Sequence, residues 1–246
     1  MKSNEEDAMM PIPSRSVDGG AHTGSWVRAA VAAGLTIGLL VAGCSAAGPD
    51  VSADGRLDYA CALAARAQDS GPAQEWTLTP GAADPALNAV AGAAALLGGM
   101  TATTLEGHED LSEAAKVQYA QITRVDSDGI QAGIDNMTAA CDRSGLPEGE
   151  PDISLPGQVA YACALVADAR QAGPPAEWDP LVGDDAEPAI IETLGAAALT
   201  GALTATPLPD HADLTEAGQD LYRAATTLDT NGLTDGLNTF GDACDG

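Results

Sequence analysis

The chain has 246 residues, with 36 Asp and Glu against 10 Lys and Arg, five Cys and only eight aromatic residues, and its formal charge is −26. A charge of that sign and size repels phosphate backbones, and no basic cluster interrupts it, so the composition argues against nucleic-acid binding. Apolar residues make up 45% of the chain, mostly Ala, Val and Leu, which is too many for a disordered protein.

The first predicted element is an export signal. Residues 29–42 form an uncharged apolar run of 14 residues, which follows Arg28 and is itself followed by Gly43 and Cys44. A helix that spans a bilayer needs about 20 apolar residues. The run therefore predicts the core of a signal peptide.

The segment Val41-Ala42-Gly43-Cys44 resembles the lipobox of bacterial lipoproteins. The resemblance implies that residues 1–43 are removed as a signal peptide and that the Cys44 thiol carries lipid. Residues 44–56 would then tether the chain to the extracytoplasmic face of the cell membrane, where two acyl chains anchor firmly. The Ala-rich, Lys-poor composition resembles that of actinobacterial proteins. The alternative is a buried helix at residues 29–42, with Cys44 as an ordinary thiol.

Much of the remaining chain consists of an internal sequence repeat. The run from Tyr59 to Leu63, YACAL, recurs from Tyr161 to Leu165 at an offset of 102. A one-residue insertion then changes the offset to 103, and Tyr119, for example, matches Tyr222. This long period indicates a tandem duplication.

The duplication divides the chain into domains. Repeat 1 covers residues 57–142 and repeat 2 covers residues 159–246. Residues 143–158 between them are rich in Pro, Gly and acidic side chains, which is typical of a linker.

Each repeat carries the pattern of four helices, described here for repeat 1. The first helix is expected near residues 57–68, and the second opens with Asp84-Pro85. The third is expected to begin with a capping box between Asp110 and Glu113. The fourth follows Asp126, with Ser127 as the expected capping residue. No period-two strand of useful length appears, so the predicted fold is all-α.

With Cys44 assigned to lipid, four cysteines remain, and four cysteines allow three pairings. The duplication favours Cys61 with Cys141 and Cys163 with Cys244, because each bond then bridges equivalent points. In an up-down bundle the start of the first helix and the end of the fourth lie at the same end, as such a bond requires. A pairing across the repeats would need a swapped architecture and is the alternative.

Two pairs of equivalent residues are candidate ligand-binding residues. His108 and His211 could ligate a divalent metal or haem, since imidazole is a common ligand that titrates near neutrality. No second His or Cys lies at ligand spacing, so the favoured interpretation is that each histidine lies at the start of a helix and binds no ligand. Trp76 and Trp178 lie between the first and second helices of their repeats. We expect their side chains to pack in the core, and the alternative is that they line a ligand groove.

No motif of catalysis accompanies these candidates. The chain lacks a Gly-x-Ser-x-Gly elbow and a glycine-rich phosphate loop. The predicted function is therefore a lipid-anchored, non-enzymatic binding or interaction module of the cell surface, with a protein or small-molecule partner. The alternative is a haem- or metal-binding surface protein that uses His108 and His211.

Overall fold

The computed structural model of the protein describes residues 48–145, 150–178, 182–184 and 186–246. These residues belong to one compact unit. Their regular structure is helical throughout, which confirms the predicted all-α fold. The predicted signal peptide and Cys44 lie outside the described residues.

The described part of the chain contains eight α-helices, four in each repeat. A single 3₁₀ turn follows the first helix of each repeat, at Ala73–Glu75 and at Pro175–Glu177. The helices are α1 (Ala53–Asp69), α2 (Pro85–Leu96), α3 (Glu109–Arg124), α4 (Ser127–Ser144), α5 (Leu155–Gln171), α6 (Pro188–Leu199), α7 (Ala212–Thr226) and α8 (Thr230–Cys244).

The first helix of each repeat begins earlier than its apolar pattern suggests. α1 begins at Ala53 because the side chain of Ser52 accepts a hydrogen bond from the backbone amide of Gly55. Ser154 caps α5 in the same way. Part of the predicted tether and part of the predicted linker are therefore helix-capping segments of the folded unit.

The start of α3 differs from the predicted capping box. The helix begins at Glu109, and His108 precedes it without a side-chain capping bond, so a cap at Asp110 is wrong. The hydroxyl of Ser112 instead accepts a hydrogen bond of 2.8 Å from the backbone amide of Leu105. That bond fixes the connection that leads into the helix.

The caps of α4 and α8 are carboxylates. Asp126 accepts a hydrogen bond of 3.1 Å from the amide of Gly129, so the predicted cap Ser127 is the first residue of the helix. Asp229 accepts the equivalent bond of 3.0 Å from Gly232. A negative charge at this end also interacts favourably with the helix dipole.

Two disulfide bonds close the repeats. Cys61 on α1 is bonded to Cys141 on α4, and Cys163 on α5 is bonded to Cys244 on α8. This is the pairing that the repeat favours. The bonds close loops with sequence separations of 80 and 81 residues. Closing a loop of that length stabilises a fold by about 4–5 kcal/mol in the chain-entropy model.

α2 and α6 cross where each helix carries a glycine. A Cβ atom on Gly92 would lie 2.6 Å from Cδ2 of Leu199, and one on Gly195 would lie 2.5 Å from Cδ2 of Leu96. Glycine therefore lets each leucine side chain pack directly against the backbone of the opposite helix. The two contacts are reciprocal, as an approximate two-fold axis between the repeats would require, and the buried residues of both repeats form one continuous core.

The loops beside this crossing also form backbone hydrogen bonds from one repeat to the other. The amide of Gly81 donates to the carbonyl oxygen of Thr204 at 2.9 Å, and the amide of Gly183 donates to that of Thr101 at 2.8 Å. Each loop thus satisfies a backbone group of the other repeat. This exchange adds directional bonds to an interface that is otherwise apolar.

We expect Gly92→Val and Gly195→Val to lower the free energy of unfolding by about 1–3 kcal/mol each, because the added atoms overpack the helix crossing. Urea denaturation under oxidising conditions measures the change. The control is Ala139→Val, which places the same side chain on an exposed position of α4. Glycine variants as stable as this control would contradict the description of the crossing.

Candidate ligand-binding site

A cavity of about 730 Å³ lies where the segments that precede α1 and α5 meet, and we call it the axial pocket. Its lining consists of six pairs of residues that are related by the offset of 102. The pairs are Gly48 and Glu150, Pro49 and Pro151, Asp50 and Asp152, Gly55 and Gly157, Asp58 and Ala160, and Tyr59 and Tyr161. Each repeat therefore contributes the same six positions to the pocket, as a cavity on an approximate two-fold axis would require.

Two stacked tyrosine rings form the most deeply buried part of the lining. The ring centroids of Tyr59 and Tyr161 are 3.6 Å apart and the ring planes differ by 9°. The Tyr59 hydroxyl donates to the carbonyl oxygen of Asp152 at 3.3 Å. The Tyr161 hydroxyl is buried and has no hydrogen-bond partner among the described residues. Burial raises the pKa of both phenols, so both stay protonated at neutral pH.

Carboxylates surround these rings. The side chains of Asp50 and Asp152 each accept a hydrogen bond of 3.0 Å, from the backbone amides of Ser52 and Ser154 respectively. Hydrogen bonds from the serine side chain and backbone lower the pKa of each aspartate. Of the lining residues that the structure describes, two more are acidic and none is Lys or Arg.

Gly55 and Gly157 allow the loops to fold back onto the helices. A Cβ atom on Gly55 would collide with the carbonyl oxygen of Asp50, and one on Gly157 would collide with that of Asp152. Any other residue would push the loop outward. The two glycines therefore hold the carboxylates beside the tyrosine pair.

A buried ion pair supports one side of the site. Arg56 on α1 bonds to the carboxylate of Glu192 on α6 and donates to the carbonyl oxygen of Val51 at 3.1 Å. At the equivalent position of repeat 2, Gln158 donates to the carbonyl oxygen of Ile153 at 2.9 Å. Both side chains thus hold the loop that leads into their helix, but only Arg56 also joins the two repeats.

Glu192 is only 4% exposed. Burial raises the pKa of its carboxyl group to about 7, and the Arg56 guanidinium opposes this shift without cancelling it. Asp168 on α5 raises the pKa further, because a second carboxylate disfavours another negative charge. This cluster, which joins the two repeats, is therefore sensitive to pH near neutrality.

The candidate residues predicted from sequence lie away from the axial pocket. His108 and His211 are the N-cap residues of α3 and α7. Trp76 and Trp178 are buried in the core, with exposed fractions of 8% and 5%, and their indole nitrogens have no hydrogen-bond partner among the described residues. In the described part of the chain, no group of three or more His, Cys, Asp or Glu is arranged to hold a metal ion.

The sequence did contain a signal for the axial pocket. Pro49-Asp50-Val51-Ser52 recurs as Pro151-Asp152-Ile153-Ser154 at the offset of 102. These segments fall in the predicted tether and linker, where Pro and acidic residues suggest irregular chain. Extending the repeat comparison upstream of Tyr59 would have identified them.

No protein-family model matches the chain, and the comparisons with curated proteins and with solved structures also find no match. Function is therefore inferred from the chain's own residues and their geometry. Among the helices that the structure describes, none is both long enough and apolar enough to cross a membrane.

We expect Glu192 to make stability depend on pH. The native state holds its proton up to about pH 7, whereas glutamate in an unfolded chain titrates near pH 4.3. The native state is therefore favoured at the acidic end, and the free energy of unfolding falls as the pH rises between these values. Relative to Glu192→Gln, the wild type should lose about 1–2 kcal/mol across this window, since relaxation of the protein and water penetration reduce the cost of charging a buried group.

Chemical denaturation at several pH values measures this difference. Glu216→Gln is the matched control, because it makes the same change at an exposed position of α7. Parallel pH profiles for the wild type and Glu192→Gln would contradict the expectation.

Proposed function

We propose that the protein is an exported, lipid-anchored binding module on the outer face of the cell membrane, and that the axial pocket is its ligand-binding site. The observation that carries this proposal is the pocket itself. Its volume of about 730 Å³ lies within the range of small-molecule sites, and it combines apolar walls with a few polar groups, as such sites do. The six matched pairs of lining residues also support the proposed tandem duplication.

The lipobox-like segment supports the anchor and determines where the pocket would lie. Only three residues separate Cys44 from Gly48, which is the first lining residue of the pocket. Because an extended chain spans at most about 3.5 Å per residue, Gly48 lies within about 14 Å of the Cys44 position. In the anchored protein the pocket would therefore open beside the bilayer.

The chemistry of the lining favours binding over catalysis. The lining residues include no His, Cys, Ser or Lys, and the two phenols stay protonated at neutral pH. Among the described residues, the lining therefore lacks a Ser, Cys or Lys nucleophile with an adjacent His base. His108 and His211, which the haem or metal alternative would use, are not among the lining residues.

The anchor is tested by Cys44→Ala. We expect the wild-type protein to remain with membranes and to partition into the detergent phase of a Triton X-114 extraction. The variant should lose this behaviour, because a thiol is needed for attachment of the acyl chains. Mass spectrometry of the mature N-terminus should find lipid on Cys44. An unmodified Cys44 in a membrane-bound protein would contradict the proposed anchor.

The binding site is tested by Ala160→Trp, which fills the pocket from an exposed position of α5. A panel of small cationic, neutral and anionic compounds is screened by thermal shift. We expect compounds that raise the melting temperature of the wild type to have no effect on Ala160→Trp, because a bound ligand stabilises only the state that binds it.

Ala139→Trp is the control, since it adds the same side chain to an exposed position of α4 outside the pocket. It should respond to the compounds as the wild type does. A panel that stabilises the wild type and Ala160→Trp equally would contradict the assignment of the pocket.

A further inference from the structure

We propose that the axial pocket binds an organic ammonium group that is carried by an apolar body. This inference rests on the proposed function, because it names the class of ligand for the same site. Three features of the lining lead to it: the sign of its charge, an unpartnered hydroxyl group and the apolar surface between them.

The first feature is charge. Among the described residues that line the pocket, four carry carboxylates, Asp50, Asp58, Glu150 and Asp152, and none is basic. Arg56 is a cation near the Tyr161 ring, but it does not line the pocket, its guanidinium is held by Glu192 and a backbone carbonyl, and the four carboxylates outnumber it. The field inside the pocket is therefore negative, and it attracts cations and repels anions.

The second feature is the buried hydroxyl group of Tyr161. Tyr161 lines the pocket and is 2% exposed, and its hydroxyl, which is influenced by Arg56 and more weakly by Asp50, has no hydrogen-bond partner among the described residues. A buried hydroxyl without a partner destabilises the protein by about 1–3 kcal/mol, and a ligand that bonds to it removes that penalty. An ammonium group carries only donors, and the phenol oxygen can accept from one of them.

The third feature is the apolar surface. Pro49, Pro151 and the tyrosine pair contribute rings to the lining, and Ala160 adds a methyl group. Aromatic and proline rings next to carboxylates are suited to a cation with hydrocarbon attached, since aromatic rings attract cations as well as apolar groups. A small hydrated inorganic ion would leave this surface uncovered.

The arrangement of the carboxylates also favours an organic cation over a metal. In the described residues, these carboxylates are not clustered closely enough to hold one metal ion together. Divalent cations require several oxygen ligands at about 2.0–2.6 Å. Carboxylates spread over a larger pocket instead suit a bulkier ligand whose charge is less concentrated.

An ammonium group could reach this site from two sources. One is a free amine in the surrounding medium, and the other is an aminated lipid headgroup, because the anchored pocket would open beside the bilayer. The two sources share the same chemistry of recognition, and a competition experiment separates them.

The test uses benzylammonium, benzyl alcohol and benzoate, three probes of similar shape with positive, zero and negative charge at neutral pH. Each is titrated into the full-length protein in detergent micelles by isothermal calorimetry. We expect benzylammonium to bind about tenfold more tightly than benzyl alcohol, and benzoate not to bind, because only the cation gains from the carboxylates. Raising the salt from about 50 to about 500 mM should weaken binding of benzylammonium alone.

A matched pair of double variants locates the interaction. Asp50→Asn with Asp152→Asn removes two charges but keeps the oxygen atoms that accept bonds from Ser52 and Ser154. Asp126→Asn with Asp229→Asn makes the same change at the caps of α4 and α8, outside the axial pocket. The first pair of substitutions should weaken the binding of benzylammonium about fivefold or more, and the second pair should weaken it by less than about twofold.

Competition by lipid identifies the source. Displacement of benzylammonium by phosphatidylethanolamine added to the micelles, but not by phosphatidylglycerol added in the same way, would support a lipid headgroup. Displacement by neither would support a free amine. Both outcomes leave the ammonium chemistry in place, provided that the charge series and the variants behave as expected.

Three results would overturn the inference. Benzyl alcohol or benzoate that binds as tightly as benzylammonium, with both lost in Ala160→Trp, would leave the pocket as the site but refute the ligand class. Binding of Mg²⁺ or Ca²⁺ alone that the Asp50 and Asp152 variants abolish would replace it with a metal site. Binding of any probe that Ala160→Trp leaves unchanged would refute the proposed site as well.

Discussion

The close approach of α2 to α6 at Gly92 and Gly195 is the constraint on which the rest of the structure depends. Leu199 and Leu96 each occupy the space that a Cβ atom would take on the opposite helix. A residue as small as glycine is needed on both helices, because the contact is reciprocal. This crossing joins the cores of the two repeats, and the axial pocket forms where their helix-capping loops come together.

The two halves of the pocket are matched but not identical. Glu150 and Asp58 contribute carboxylates for which the equivalent positions, Gly48 and Ala160, have none. The hydroxyl of Tyr59 has a backbone partner, whereas that of Tyr161 does not. An axial site whose halves differ in this way suits a ligand with two unlike ends, one of which bears the charge.

Sequence reasoning predicted the helices from apolar spacing within each repeat, and the disulfide bonds from the equivalence of the two repeats. Cys141 packs against the core from α4, and that equivalence favours Cys61 as its partner. The crossing at Gly92 could not be predicted in the same way. An Ala- and Gly-rich helix shows that a close neighbour is permitted, but not which helix it is. The pocket was missed because its loops resemble linker sequence. The bond between Arg56 and Glu192 beside it was missed because the two residues are 136 positions apart in the sequence.

The central claim is that the two repeats form a single cooperative unit around the α2–α6 crossing. Differential scanning calorimetry of the oxidised protein, compared with the van't Hoff enthalpy of the same transition, tests this claim most directly. A shared core predicts one transition with a ratio of calorimetric to van't Hoff enthalpy of about 1, the criterion of two-state unfolding. Two resolved transitions, or a ratio of about 2 that indicates two repeats unfolding independently, would contradict it.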